Sequence, residues 1–231
     1  ISDVPPGFSP EQRDQPGGFT AEIDVFDTWF TSSLTPQIST GWILNPERHK
    51  RLFPMDIRPQ AHDIIRTWAF YTIAKAHLHA NTVPWRHVLI SGWILDPDRK
   101  KMSKSRGNTV TPQQIIENYH ADAARYWAAS ARLGVDTAYD QSVFKIGRRL
   151  VTKLYNAAKF VTGIVASAEA DQQIPLSIVA VCEEIDRGFL NELRLLVRRV
   201  TAHMNDFDYA SALGQTEGFF WDNFTDCYIE L

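Results

Sequence analysis

The five residues Lys101-Met102-Ser103-Lys104-Ser105 have the types and spacing best suited to chemistry in this chain. The two lysines stand three positions apart, with small hydroxyl side chains between and after them. Two ammonium groups so placed can gather the oxygens of a polyphosphate and neutralise charge as pyrophosphate leaves a nucleotide. The alternative is a solvated basic turn, because three further basic residues flank the segment and charge runs are common on surfaces.

Two predicted elements position this loop. The apolar run before it predicts a strand near residues 87–95, and Thr111 with Pro112 and Gln114 predicts a capped helix start after it. The loop would then leave the end of a strand, which is where open α/β sheets bind ligands. Gly92, within that strand, would admit close backbone approach under an adenine ring, unless it is an ordinary bulge glycine.

Further candidates lie upstream, on a strand and turn predicted near Ile23–Phe30 and on a helix predicted over residues 60–79. The start of that helix, at His62 and Asp63, offers backbone N–H groups to an anionic ligand. The Asp63 carboxylate would bond ribose hydroxyls or a substrate ammonium, or else only stabilise the first helical turn. Asp27 either orients a pocket or simply ends the strand.

Trp29 and Trp68 are candidates for the walls of an amino-acid pocket. A flat, rigid indole can enclose a branched aliphatic side chain at low entropic cost. The alternative is that both are core aromatics, because most tryptophans are largely buried for packing alone.

Long helices are predicted from Ser142 onward, where apolar residues recur at three- and four-residue steps. Three such stripes must bury against one another, which predicts a helical bundle. The predicted fold is therefore a partial α/β domain followed by an α-helical bundle. Residues 1–20, rich in Pro and Gly, predict a linker, and a boundary near residue 140 separates domains at 21–140 and 141–231.

Composition predicts a folded cytoplasmic protein without a membrane partner. The 44% hydrophobic content suffices for a sizeable core, and no apolar run approaches the length of a membrane span. Cys182 and Cys227 lack the spacing of a disulfide framework or a zinc site, so no metal site is indicated. The net charge of −3 is weak evidence against nucleic-acid binding, because such binding needs only a local basic patch.

Four segments, in this order, resemble the class I aminoacyl-tRNA synthetases, and within them the valine enzymes. They are Asp24-Val25-Phe26-Asp27-Thr28-Trp29-Phe30, His62-Asp63-Ile64-Ile65-Arg66-Thr67-Trp68, Lys101 to Asn108, and Asp122-Ala123-Ala124-Arg125-Tyr126-Trp127. The resemblance spans roughly residues 20–231. Isoleucine enzymes usually have an acidic residue and glycine after the Trp-Phe pair, whereas this chain has Thr31-Ser32-Ser33.

The resemblance implies activation of valine with ATP and Mg²⁺ and its transfer to a valine-accepting tRNA, by an enzyme expected to be monomeric at full length. It implies catalytic roles for Lys101 and Lys104. The implied ATP-binding residues are Lys104, Met102, Ser103, His62, Asp63 and Gly92, and the implied amino-acid pocket is Trp29, Trp68 and Asp27. Residues 21–140 would be the second half of a Rossmann-like catalytic domain, and 141–231 part of an anticodon-binding bundle. Basic residues that would meet tRNA phosphates, unless they form only a solvated face, are Arg148, Arg149, Lys153, Lys159, Arg194, Arg198 and Arg199.

Two alternatives remain open at this point. The chain lacks the His-x-Gly-His pattern that opens the catalytic domain of such enzymes, and its length is a fraction of theirs. We therefore expect a fragment, for which an inactive tRNA-binding piece is one alternative reading. A synthetase for isoleucine or leucine is the other.

Overall fold

The computed structural model describes residues 4–103, 105, 107–169 and 181–231. Lys104, Arg106 and residues 170–180 lie outside the described residues. The described helices are α1 (Thr28–Ser32), α2 (Thr35–Thr40), α3 (Pro46–Leu52), α4 (Phe70–Ala80), α5 (Pro112–Ser130), α6 (Gln141–Glu169), α7 (Glu184–Asn205) and α8 (Tyr209–Gly218). The described strands are β1 (Met55–Ala61), β2 (Trp85–Ser91), β3 (Ile94–Leu95) and β4 (Thr137–Ala138).

The chain divides into two compact units. One contains Ile1–Arg58 and Asp63–His87, and the other contains Pro59–His62 and Val88–Leu231. This division does not test the predicted linker and domain bounds, which stay a prediction.

The strands pair in two small sheets. Strands β1 and β2 are neighbours. At their starts, Met55 N–H donates to the backbone oxygen of Pro84. At their ends, Ser91 Oγ donates to the backbone oxygen of Gln60. That pattern belongs to strands running in the same direction. Strands β3 and β4 are also parallel, with Ile94 opposite Thr137. Parallel pairs joined through helices are the pattern of an α/β fold.

The strand predicted near Ile23–Phe30 is wrong. Residues 21–27 belong to no strand in the described chain, and Ile23 and Val25 are each 90% exposed. A strand is stabilised by a neighbour that accepts its ladder hydrogen bonds, and this segment has none among the described residues. Helix α1 begins instead at Thr28, because the Asp27 side chain caps it by accepting a hydrogen bond from Trp29 N–H at 2.8 Å.

The helix predicted over residues 60–79 begins later than expected. Strand β1 continues to Ala61, a 3₁₀ turn covers His62–Ile64, and a π-helical turn at Ile65–Ala69 leads into α4. The apolar spacing identified the helical part correctly, but the pairing of β1 with β2 decides where the helix starts.

The elements around the lysine loop are confirmed. The strand predicted near residues 87–95 is present as β2 and β3, interrupted at Gly92-Trp93. Thr111 caps α5, Pro112 occupies its first turn, and Gln114 completes the capping box by accepting from Thr111 N–H at 2.9 Å.

The second compact unit is built around an aromatic cluster. Phe144 of α6 is fully buried, with its ring centroid 5.2 Å from that of Tyr119 and 5.3 Å from those of Trp127 and Tyr139. Helix α5 packs on α6 and on α8, and α7 packs on α8. The Tyr126 hydroxyl ties α5 to α8 by donating to Glu217 at 2.6 Å. The predicted helices of the second half are therefore confirmed, with α7 packed on α8 and α6 packed on α5.

The second half of α6 leaves apolar residues uncovered within the described chain. Tyr155, Phe160 and Ile164 are each more than half exposed. No described helix is both long enough and apolar enough to cross a membrane. Helix α6 has the length but is too polar.

Candidate active site

One cluster within the second compact unit gathers the predicted site residues His62 and Lys101 around Trp93. His62 follows the end of β1, and its Nδ1 lies 3.2 Å from the backbone oxygen of Ser91 at the end of β2. The His62 ring meets the Trp93 ring edge-on, with centroids 4.5 Å apart. The Lys101 ammonium lies 3.3 Å from the centroid of the Trp93 ring. The ends of two parallel strands thus bring together an imidazole, an indole and a cation, where α/β sheets bind ligands.

The described part of the lysine loop is anchored on both sides. Lys101 pairs with Leu95 in an isolated antiparallel bridge, and Met102 packs against the apolar cluster around Phe144. The Ser103 and Ser105 hydroxyls are 2.7 Å apart. Lys104, the predicted principal catalytic lysine, lies outside the described residues.

Gly92 makes the close backbone approach that the sequence predicts, but the chain itself fills the space. A Cβ at this position would lie 2.4 Å from the carbonyl carbon and oxygen of Val135. Any larger residue would therefore push apart the segments that lead into β3 and β4. A role for Gly92 beneath an adenine ring stays a prediction.

Trp29 and Trp68, the predicted pocket residues, lie in the first compact unit. The Trp68 indole N–H donates to the backbone oxygen of Ser32 at 2.9 Å, which attaches its helix to the end of α1. Trp29 lies at the start of α1, held by the Asp27 cap. The structure therefore brings the Asp27–Trp29 and Trp68 segments together, while a cavity between the two indoles stays a prediction. Asp63 is exposed.

Arg58 covers one face of Trp68, which sequence reasoning missed. Its guanidinium carbon lies 3.1 Å from the centroid of the Trp68 ring and 5.6 Å from that of Trp85. Only 9% of the residue is exposed, and burial lowers the pKa of the guanidinium to about 10. Its Nε and one terminal nitrogen have no hydrogen-bond partner within the described chain, which makes this cation costly to bury. No signal in the sequence marks Arg58, because arginines on strands usually extend to solvent.

Asp96 and Asn108 were also missed as contributors to the loop. The Asp96 side chain accepts from Lys100 N–H and from the Asn108 amide, each at 2.8 Å. These hydrogen bonds, the backbone N–H of Lys100 first, hold the pKa of the Asp96 carboxyl below its usual range. The only sequence signal is that Asn108 ends the segment that resembles the synthetases.

A basic groove runs along α6. It encloses about 560 Å³ and is lined by Lys145, Arg148, Arg149, Thr152, Lys153, Asn156 and Trp221. Helix α6 contains five basic residues and a single acidic one, whereas the whole chain has a net charge of −3. The Arg149 guanidinium lies 5.2 Å from the centroid of the Trp221 ring, which holds it on the groove wall. None of the five cations forms an ion pair within the described chain. The groove can accept an anionic polymer.

Comparison with known proteins gives these features a family. A family model described as "tRNA synthetases class I (I, L, M and V)" matches residues 8–140. The chain belongs to this family. A second model, described as "Anticodon-binding domain of tRNA ligase", matches residues 186–231 of this class I synthetase chain. The resemblance carried by the four sequence segments is thus confirmed at the level of the family.

The similar curated proteins are valine–tRNA ligases. The one from Thermobifida fusca (strain YX) is 51% identical over 230 residues, which cover 100% of this chain and 25% of the relative. The one from Rickettsia felis is 48% identical over 239 residues and is covered to 27%. The chain therefore spans about a quarter of the length of these relatives.

Solved structures of synthetases share the fold. The LeuRS of Agrobacterium radiobacter K84, in a ternary complex with tRNA and LeuAMS, superimposes with a TM-score of 0.72 at 18% identity, covering 91% of this chain and 29% of that one. The Mycobacterium tuberculosis methionyl-tRNA synthetase bound to methionyl-adenylate gives a TM-score of 0.63 at 25% identity, covering 82% of this chain and 37% of that one. These likenesses confirm the predicted fold class, an α/β part followed by helices.

Proposed function

We propose that this chain supplies part of an enzyme that ligates valine to its tRNA. ATP and valine form valyl-adenylate with release of pyrophosphate, and the valyl group then passes to the tRNA with release of AMP. The observation that carries the proposal is the 51% identity to a valine–tRNA ligase along 100% of the chain. Because the chain spans about a quarter of that relative, the proposal concerns the whole protein in which the chain works.

The lysine loop would act on the triphosphate of ATP. Lys101 and Lys104 would neutralise the charge that develops on the leaving pyrophosphate, an interaction stronger in the transition state than in the ground state. Met102 and Ser103, the other predicted ATP-binding residues of the loop, would lie beside the nucleotide. Lys101 is exposed and its ammonium rests on the ring of Trp93, which supports this role because the ammonium remains available to phosphate oxygens.

The other predicted nucleotide contacts lie at the ends of β1 and β2. His62, whose ring is held by Ser91 and Trp93, would bind the nucleotide together with Gly92. Asp63 would accept hydrogen bonds from ribose hydroxyls or from the ammonium of valine.

Trp29 and Trp68 would enclose the valine side chain. Asp27 would orient Trp29, which the 2.8 Å cap hydrogen bond supports. Since the Arg58 guanidinium covers one face of Trp68, valine would use the other face or displace the guanidinium. Pocket shape alone separates valine from isoleucine, which differs by one methylene, by only ~1–3 kcal/mol.

Mg²⁺ would enter with ATP rather than at a protein site. The described residues contain no cluster of three or more His, Cys, Asp or Glu side chains that could hold a metal ion. Asp96, the carboxylate that packs beneath the loop, already accepts hydrogen bonds from Lys100 and Asn108. Phosphate oxygens are the ligands that Mg²⁺ commonly takes in such reactions, where it neutralises charge on the leaving group.

The α6 groove would bind the tRNA backbone. Lysine and arginine side chains that neutralise phosphates release counterions, so this binding would weaken steeply with salt. Lys145 and Trp221 also line this groove, beside basic residues that the sequence predicted to meet phosphates. We further propose a cytoplasmic, monomeric enzyme at full length.

The test is a chimera in which this chain replaces its matching quarter of the Thermobifida fusca ligase. We expect the chimera to catalyse valine-dependent ATP–pyrophosphate exchange, with isoleucine used roughly 10–200-fold less well. The 231-residue chain alone should show no useful exchange, because misplacing one reacting group by about 1 Å can cost on the order of 10²-fold. An inactive chimera that folds and is retained on ATP resin would contradict the proposal, as would equal use of valine and isoleucine.

A further inference from the structure

The Asn108 side chain joins three points of the lysine loop. Its Oδ1 accepts a hydrogen bond from Ser103 N–H at 2.9 Å. Its Nδ2 donates to Asp96 Oδ2 at 2.8 Å and lies 3.3 Å from the backbone oxygen of Lys101. One amide thus ties the backbone of Lys101 and Ser103 to a carboxylate that precedes the loop.

Asp96 is itself held firmly in place. It is only 7% exposed, and its Oδ1 accepts from Lys100 N–H at 2.8 Å. The backbone closes a turn at the same point, because Asp96 N–H donates to Lys100 O at 2.8 Å and Arg99 N–H donates to Asp96 O at 2.9 Å. A buried carboxylate needs hydrogen-bond donors, and the Lys100 N–H and the Asn108 amide supply them.

The segment that Asn108 holds is the one that places Lys101. Met102 is fixed against the apolar cluster, Ser103 N–H and Lys101 O are bonded to Asn108, and the Lys101 ammonium lies 3.3 Å above the ring of Trp93. If this backbone moved, the ammonium would move with it, and catalytic groups lose much of their effect when displaced by about 1 Å.

We infer that Asn108, braced by Asp96, is a positioning residue that fixes the backbone of Lys101–Ser103 and so sets where the Lys101 ammonium meets the triphosphate. The inference rests on the proposed function for its catalytic consequence, but not for its structural one. An ordinary turn-stabilising pair would change folding stability and leave the turnover of the folded enzyme unaltered. The two readings therefore differ in what a variant does to rate.

The structural half is tested on the 231-residue chain by hydrogen–deuterium exchange at the amides of Lys100 and Ser103. Asn108→Ala should raise exchange at Ser103 by about tenfold or more, because it removes the acceptor of that N–H. Asn108→Asp alone should be no better than Asn108→Ala, because it brings two carboxylates to hydrogen-bond distance. The matched control is Asn118→Ala, which deletes an exposed amide that donates to Gln114 O on α5, and it should leave both amides unchanged.

The reciprocal double variant Asp96→Asn/Asn108→Asp provides the rescue. The carboxylate at position 108 can accept from Ser103 N–H and from the new amide at position 96, whose oxygen can still accept from Lys100 N–H. Only the 3.3 Å contact with Lys101 O is lost. Exchange at Ser103 should return to within about threefold of the unaltered chain. Unchanged exchange in Asn108→Ala, or no rescue by the double variant, would overturn the brace.

The catalytic half is tested in the chimera with the Thermobifida fusca ligase. Asn108→Ala should lower the kcat of ATP–pyrophosphate exchange by about 10–100-fold while the KM for valine changes by less than about threefold, and the double variant should recover most of the rate. An unchanged kcat in a variant whose Ser103 amide has become labile would overturn the positioning role. If the unaltered chimera is inactive, the proposed function fails, and the amide exchange alone decides whether Asn108 holds this backbone.

Discussion

Gly147 lets α6 approach α5, and alanine at this position should destabilise the chain measurably. A Cβ there would lie 2.7 Å from Cβ, Cγ and Cδ1 of Tyr126, whereas ordinary contacts begin at 3.4 Å, so one helix must move by about 0.7 Å. Tyr126 cannot swing away freely, because its hydroxyl donates to Glu217 at 2.6 Å. Overpacking costs ~1–3 kcal/mol, and alanine regains up to ~1 kcal/mol of helix propensity. We expect Gly147→Ala to lower the free energy of unfolding by about 1–2 kcal/mol.

The matched control is Gly163→Ala on the same helix, where a Cβ would meet nothing within 4 Å. It should raise the free energy of unfolding by about 0.5–1 kcal/mol. Urea denaturation followed by far-UV circular dichroism measures both changes, provided that the m-value is constant. In a Tyr126→Gly background all three of these clashing atoms are absent, so Gly147→Ala should become neutral or stabilising. If Gly147→Ala is as stable as Gly163→Ala, α5 and α6 do not meet as described.

Three further predictions test single groups. Tyr126→Phe, which leaves the Glu217 carboxylate without its hydroxyl donor, should lower the free energy of unfolding by ~1–3 kcal/mol, whereas exposed Tyr155→Phe should change it by less than ~0.5 kcal/mol in the same urea titration. The pKa of Asp96 is lower in the folded chain, first because of the Lys100 backbone N–H and then because of the Asn108 amide. The stability that the Asp96 carboxylate gives to the folded chain should therefore be complete above the unfolded pKa of about 3.9 and be lost as pH falls through the folded pKa. Asp96→Asn should make the free energy of unfolding fall less steeply at acid pH. An equally steep fall in the variant would contradict this prediction. In the chimera, Lys104→Ala should slow adenylate formation by the equivalent of ~3–4 kcal/mol with little change in valine binding, and presteady-state rates that match the unaltered chimera would remove Lys104 from the chemistry.

The helices of the second half could be predicted from sequence because their signals are local. The capping box at Thr111 and the apolar stripe of α6 depend on residues three or four positions apart, and both are present. The strand predicted near Ile23–Phe30 failed for the opposite reason. Alternating apolar residues specify a strand only where a neighbouring strand lies beside them, and the sequence does not say whether one does.

The residues of the candidate site also differ in whether the sequence alone could identify them. The lysine loop was identifiable because its residues are consecutive, whereas the roles of Arg58, Asp96 and Asn108 depend on partners that the fold supplies. Asn108 meets Asp96 across 12 positions, and Arg58 is buried only because β1 places it between two tryptophans. A buried cation whose nitrogens lack partners in the described part of the chain contradicts what an arginine in a strand ordinarily indicates. The structure was needed to find it.

Lys101 has an anchored backbone and an ammonium group that remains available to a ligand. Its backbone is held by Asn108 and by the partly buried Met102, whereas its ammonium rests, within the described residues, on the ring of Trp93. A cation–π contact at an exposed site contributes ~0.5–1 kcal/mol, whereas charge-assisted hydrogen bonds to phosphate are roughly twice as strong as neutral ones. In the proposed function, a triphosphate would therefore take the ammonium from the indole without disturbing the backbone beneath it. For the proposed role, the loop needs a fixed backbone and a weakly held ammonium group. The adjacent residues Lys101, Met102 and Ser103 would supply both.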